Sequence, residues 1–150
     1  MMRAAILARV LVVLVGLLAS SEFAIAQTVT DTLGRWGMLG TWALDCSQPP
    51  SRSNGYLSYV AKQGGAFHER EFGDARDSSR ILSARITANG LLEVRIDYTS
   101  ISQIRDISFF KAGDGRIRSM SNRIVNGEYS IKDGNFVSNG NPSPWQMRCR

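Results

Sequence analysis

The chain has 150 residues, with 18 Lys and Arg against 13 Asp and Glu, one histidine and two cysteines. That length supplies one hydrophobic core and one domain. The net charge of +5 is interleaved with acids, as in Glu69-Arg70-Glu71 and from Asp74 to Arg80, which argues against the clustered basic face of a nucleic-acid-binding domain.

At the N-terminus, Arg3 and Arg9 precede an unbroken apolar run from Val10 to Ala19, and "SSEFAIAQ" follows. Ala24-Ile25-Ala26 is a small-x-small cleavage site. The pattern predicts a secretory signal peptide over residues 1–26, cleaved before Gln27. From Ala4 to Ala19 the segment spans about 24 Å as a helix, short of the roughly 30 Å of a bilayer core. No stable membrane anchor is therefore expected, and the location predicted is periplasmic or secreted.

Residues 27–37 fit a short helical turn, with Thr30 as N-cap and Asp31 in the first turn. Gly34 and Gly37 limit its length, and Trp36 calls for burial over one end of the domain.

From residue 38 to 150 the punctuation is that of β-hairpins. Gly64-Gly65, Asn89-Gly90, Asp114-Gly115, Asn126-Gly127 and Asp133-Gly134 all separate apolar or β-branched runs. Such pairs suit tight turns that need φ > 0. "LLEVRIDY" alternates cleanly, with Leu92, Val94, Ile96 and Tyr98 on one face. In "RILSARIT", strict alternation groups Leu82, Ala84 and Ile86. "QIRDISFFKA" has less distinct faces, and "RIRSMSNRIV" has no apolar face, which fits an edge strand or the wall of a polar cavity. The strands expected are roughly 38–45, 56–62, 66–72, 80–87, 91–98, 103–111, 116–125, 128–132, 135–138 and 144–149.

This pattern predicts an all-β fold, a small antiparallel up-and-down β-barrel of about eight strands. A two-sheet β-sandwich is the alternative. Cys46 and Cys149 are the only thiols, and in an oxidising compartment they are expected to form a disulfide that joins the first strand to the last residues. The long polar connection "CSQPPSRSNG" is stiffened by Pro49 and Pro50. It offers Pro49, Pro50, Arg52 and Asn54 as a candidate interaction loop.

Gly40-Thr41-Trp42, on a first strand after a helical turn, resembles the Gly-x-Trp start of the calycin superfamily, which includes lipocalins, avidins and bacterial metalloprotease-inhibitor barrels. The resemblance implies that Gly40 and Trp42 plug the closed end of a barrel. An Arg from the last strand, Arg148 or Arg150, would stack on the indole. It also implies a lipocalin-like binding module for a small apolar or amphipathic ligand, with no catalysis. The "GTWALDC" start and "PWQMRC" end look similar to small exported proteins of Gram-negative bacteria, which implies a compartment and no activity.

Chemistry-bearing clusters are sparse. His68, in "FHEREF", shares a strand face with Arg70 and Phe72. A zinc site takes about three protein ligands, and no other histidine exists to help supply them. No Ser sits in a Gly-x-Ser-x-Gly elbow. His68 is read as a surface or structural residue. Glu93 and Asp97 flank Arg95 on a strand face and read as a solvent-facing salt-bridge ladder. No cofactor or metal is expected. Tyr98, Phe109 and Met120 are the candidate ligand-lining residues. The partner expected is a small apolar ligand or, as the alternative, an envelope protein or protease held by surface loops. The oligomeric state stays open.

Overall fold

The computed structural model describes residues 28–149. The expected signal segment, 1–26, and Arg150 lie outside the described residues. Helix α1 (28–36) leads into β1 (Gly40–Ala43), β2 (Tyr56–Lys62), β3 (Gly65–Glu71), β4 (Arg76–Ile86) and β5 (Leu92–Tyr98). A 3-10 turn, Thr99–Ile101, precedes β6 (Gln103–Lys111), β7 (Ile117–Ile124), β8 (Tyr129–Lys132), β9 (Asn135–Phe136) and β10 (Met147–Arg148).

Thr30 lies inside α1, so it is not the N-cap that its sequence position suggested. Val29, Leu33 and Trp36 recur at i, i+4 and i+7 and are all buried, which is the apolar stripe of a helix on a core. Gly34 is exposed on the opposite face and does not interrupt that stripe. Gly37 ends the helix at φ +81°, with its N–H donating to Gly34 O and the Met38 N–H donating to Leu33 O. These two bonds are the Schellman stop, which favours glycine.

The sheet is a meander with every neighbouring pair antiparallel, in the order β10-β1-β2-β3-β4-β5-β6-β7-β8-β9. It curls until the β10 end meets the start of β7. Ile117, at the start of β7, exchanges two hydrogen bonds of 3.0 and 2.8 Å with Gln146, which leads directly into β10. β10 in turn pairs with β1, Trp42 opposite Arg148. Strands β1 to β7 and β10 thus form an eight-stranded barrel, and the sandwich alternative does not apply. β8 and β9 extend from the far half of β7.

Three bulges interrupt the alternation. The register of β4 on β5 leaves Leu82 as an extra residue, so Ile81, Ala84 and Ile86 share the interior face, and not Leu82 as strict alternation implied. Met120 is the extra residue of β7 against β6, and Ser130 that of β8 against β7. A bulge bends its strand and sharpens the local twist, which helps so short a sheet to close.

One barrel end is solid. Leu33, Met38, Trp42, Leu92 and Ile117 are buried there, none more than 2% exposed. Trp36 closes that end: its indole N–H donates to Gly90 O at 2.9 Å, and Lys111 Nζ lies 4.5 Å from its ring centroid. Trp42 donates to Met38 O at 2.9 Å, and the Arg148 guanidinium lies 5.6 Å from its ring centroid. Arg148 also donates to Leu39 O. Gly40 stands at φ +133°, a backbone conformation that a residue with a Cβ rarely adopts.

The Cys46–Cys149 disulfide is present, with Cα atoms 5.4 Å apart across 103 positions of sequence. In the chain-entropy model a loop of about 100 residues gives roughly 4.7 kcal/mol, an upper figure.

Candidate ligand cavity at the barrel mouth

The opposite end of the barrel is not filled. A cavity of about 240 Å³ lies there, walled by Leu57 and Tyr59 of β2, His68 and Arg70 of β3, Phe72, Tyr98 of β5, and Ile107 and Phe109 of β6. Ser119 and Asn122 of β7, Ile131 of β8, Phe136 of β9 and the segment Ser143, Pro144 and Gln146 complete it. The lining is mostly apolar, with a few convergent polar groups, the usual makeup of a small-molecule site. Its volume falls just below the usual range of about 300–1,000 Å³ for ligand pockets.

The polar groups are organised around His68, which is 3% exposed. Its ring stacks on Tyr59 with centroids 4.6 Å apart and planes 12° apart, and meets Tyr98 edge-on at 5.9 Å. His68 Nδ1 and the Tyr98 hydroxyl share a hydrogen bond of 3.0 Å. His68 Nε2 is buried and has no hydrogen-bond partner among the described residues. Burial, reinforced by the charge of Arg70 and only partly offset by Asp77, pushes the histidine pKa down to about 3, so the ring is neutral. Burial likewise pushes the Tyr98 hydroxyl up to about 12, although Arg70 and Arg105 pull it back. Burial and then the neighbouring Tyr98 raise Tyr59 well above the ordinary phenol value.

Arg70 packs its guanidinium over the Tyr98 ring, 4.6 Å from the centroid. Its fork is engaged by Asp77 of β4, through Nε at 2.8 Å and through a second bond from Nη2. Arg105, on β6, is held by Gln103 and Asn122 and does not line the cavity. No Ser, Cys or carboxylate hydrogen-bonds His68, and no group of three or more His, Cys, Asp or Glu is placed to hold a metal ion, among the described residues.

Tyr98 and Phe109, named from sequence as ligand-lining, stand together in this wall. Met120 does not. The bulge displaces it from the alternation, and its methyl group lies near Gly134, 3.4 Å from where a Cβ would sit. The sequence alone does not point to His68, Arg70, Asn122 and Phe136 as lining residues. The available signal was the shared strand face of His68, Arg70 and Phe72.

The candidate interaction loop is held from within. Asn54 is buried; its amide donates to Asp45 O at 2.9 Å, and its Oδ1 accepts from Asp45 N at 3.0 Å. The Tyr56 hydroxyl donates to Gln48 O at 2.8 Å. Asn54 is thus turned inward, while Pro49 and Arg52 are exposed and Pro50 is half-buried.

A larger groove of about 490 Å³ lies on the outside of β4 to β8. Its charges are already engaged, three arginines on two carboxylates. Arg85 pairs with Glu93, and Asp106 accepts from Arg95 at 2.7 Å and faces Arg123 at 3.5 Å. The ladder expected around Arg95 exists, with Asp106 as its partner across β5 and β6 in place of Glu93 or Asp97. That pairing, chiefly the Arg95 hydrogen bond, holds the Asp106 carboxyl below the usual range. No protein-family model, curated protein or solved structure matches the chain.

Proposed function

We propose that this chain is a non-catalytic, lipocalin-like binding protein that takes a small apolar or amphipathic ligand in the mouth of its barrel. The observation that carries this reading is the asymmetry of the interior. One end is packed solid, while the other leaves about 240 Å³ lined by aromatic and aliphatic side chains with a buried imidazole among them. A chain selected only for stability would fill such a space, because each unfilled methylene forfeits dispersion contacts. Export to an oxidising compartment belongs to the same proposal, and the disulfide supports it.

The test is fluorescence titration with acedan, an uncharged environment-sensitive naphthalene dye. Saturable enhancement is expected in the native protein, with loss in Ser119→Phe, which places a ring in the cavity. A dye response absent from the native protein, or unchanged in Ser119→Phe, overturns the reading. A protein-facing role is the second reading. It is favoured by the internally braced loop that presents Pro49 and Arg52 beside Cys46, and deletion of residues 48–53 would remove its partner.

A further inference from the structure

The polar atom left over at the base of the His68 cluster indicates what kind of ligand the cavity takes. A buried polar group without a hydrogen-bond partner is costly, and native proteins supply such groups with a partner or water. Nε2 of His68 is such an atom: it is shut off from solvent and without a partner among the described residues, on a residue whose ring forms part of the cavity wall, so an acceptor reaches it as the lining side chains shift. The direction of its hydrogen bonding follows from its neighbour. The buried Tyr98 hydroxyl has one hydrogen-bond partner among the described residues, His68 Nδ1. A phenol places its hydrogen on the acceptor within reach, so Tyr98 donates to Nδ1. The neutral imidazole then carries its proton on Nε2, which makes that atom a donor. Charge is excluded by the same surroundings. Among the described residues Arg70 is the only charged side chain in the lining, and Asp77 engages its fork. A bare carboxylate in the cavity would be desolvated without a free cation to meet it.

We propose that the ligand is an uncharged molecule with an apolar body and one hydrogen-bond acceptor, a carbonyl or ether oxygen, which accepts from His68 Nε2. The apolar body lies against the apolar wall that includes Ile107, Phe109 and Ile131. This inference rests on the binding reading above and narrows it from any small amphipathic molecule to a neutral acceptor of limited size.

Three probes of nearly equal shape separate the alternatives: 2-acetylnaphthalene, 2-ethylnaphthalene and 2-naphthoate. Each is titrated by calorimetry into the native protein and into His68→Phe, which keeps a ring over Tyr59 and removes the donor. A hydrogen bond of ordinary net strength is worth about fivefold in affinity. The acetyl probe should weaken by about that factor in His68→Phe, while the ethyl probe should change by less than about twofold, and naphthoate should bind more weakly than the acetyl probe. An equal effect of the substitution on the acetyl and ethyl probes leaves Nε2 to a water molecule and overturns the inference. Tightest binding of naphthoate overturns it in favour of Arg70. Binding of none of the three by the native protein overturns the barrel-binding reading itself, and this inference with it. The native protein also gives a measurement that needs no variant, because its single histidine has one pair of ring nitrogen signals. The Nε2 ¹⁵N resonance should shift with the acetyl probe and stay in place with the ethyl probe; no shift with either is a second overturning result.

Discussion

The two ends of this barrel are made from the same strands and are used in opposite ways. At the helix end, α1 lays Val29, Leu33 and Trp36 across the opening, and Trp42 fills the space behind them. The two tryptophans and Arg148 spend their polar groups on backbone there: Trp36 donates to Gly90, Trp42 to Met38 and Arg148 to Leu39. At the mouth end the interior carries His68, Arg70, Ser119 and Asn122, and one buried nitrogen has no hydrogen-bond partner among the described residues. The difference teaches where a site can be proposed. Tight packing with satisfied polar groups specifies a fold, whereas free volume beside an unpartnered polar atom leaves room for a ligand.

The largest expected effect lies at the packed end. Truncating a buried tryptophan costs about 3–5 kcal/mol through lost transfer energy and a residual cavity. Trp42→Ala removes a side chain 2% exposed, and with it the donor to Met38 O and the surface on which Arg148 rests. Urea unfolding should show that loss, with the slope unchanged. A cost under about 1 kcal/mol would mean that the helix end collapses as easily as the mouth, and the contrast between the ends would be broken.

Much of this contrast was legible in the chain. Ten strands were expected near the ten observed, because alternation in "LLEVRIDY" and the Gly-containing turn pairs are local signals. Asn126 and Asp133 indeed stand at φ +59° and +51° in their turns. The cysteine pair needed only a compartment and a count. What was not legible depends on pairing between strands. The bulge at Met120 arises where β7 meets β6, and nothing in "RIRSMSNRIV" marks it, so alternation carried Met120 to the wrong place. The burial of His68 depends on Tyr59 from β2 and Tyr98 from β5, the latter 30 positions away. Read alone, a single histidine on a strand has no such neighbours. The length of α1 was hidden for a simpler reason: a glycine on the outer face of a helix looks like a breaker until the inner face is known.

The mouth should also announce itself through pH. His68 has an ordinary value of 6.5 and a folded value of about 3. It is faced by Tyr59 on β2, Arg70 on β3, Asp77 on β4 and Tyr98 on β5, with Arg105 of β6 near Tyr98. Above the unfolded value neither state binds a proton, and stability is flat on this account. Below it the unfolded chain takes up a proton that the folded ring refuses, so stability falls as pH drops from 6.5 toward 3. The slope approaches about 1.4 kcal/mol per pH unit. Since the chain has one histidine, the decline between about pH 6 and 5 belongs to His68. Carboxylates such as Asp106, held down chiefly by its bond to Arg95, add their own loss only at lower pH. Urea midpoints taken across that interval should fall in the native protein and stay level in His68→Phe. A native profile that stays level would place His68 in water and dissolve the mouth cluster.

The smallest effect is the sharpest comparison, because it removes the same methyl group from each end of the contrast. Ile96→Val acts in the packed interior, where the side chain has no exposure at all; Ile131→Val acts at the cavity wall, where it is 8% exposed. Such truncations cost about 0.5–1.5 kcal/mol, and the spread reflects how well each site can adjust. In the packed interior no neighbour has room to move, so Ile96→Val should sit near the upper figure and leave acedan binding as it was. At the mouth the lost methyl enlarges a space that is already open, so Ile131→Val should sit near the lower figure. It should nevertheless change acedan affinity, since it alters the wall against which the dye lies. Equal costs with no change in binding would show that Ile131 is packed as tightly as Ile96. The free volume at the mouth would then be a feature of shape without a ligand to fill it.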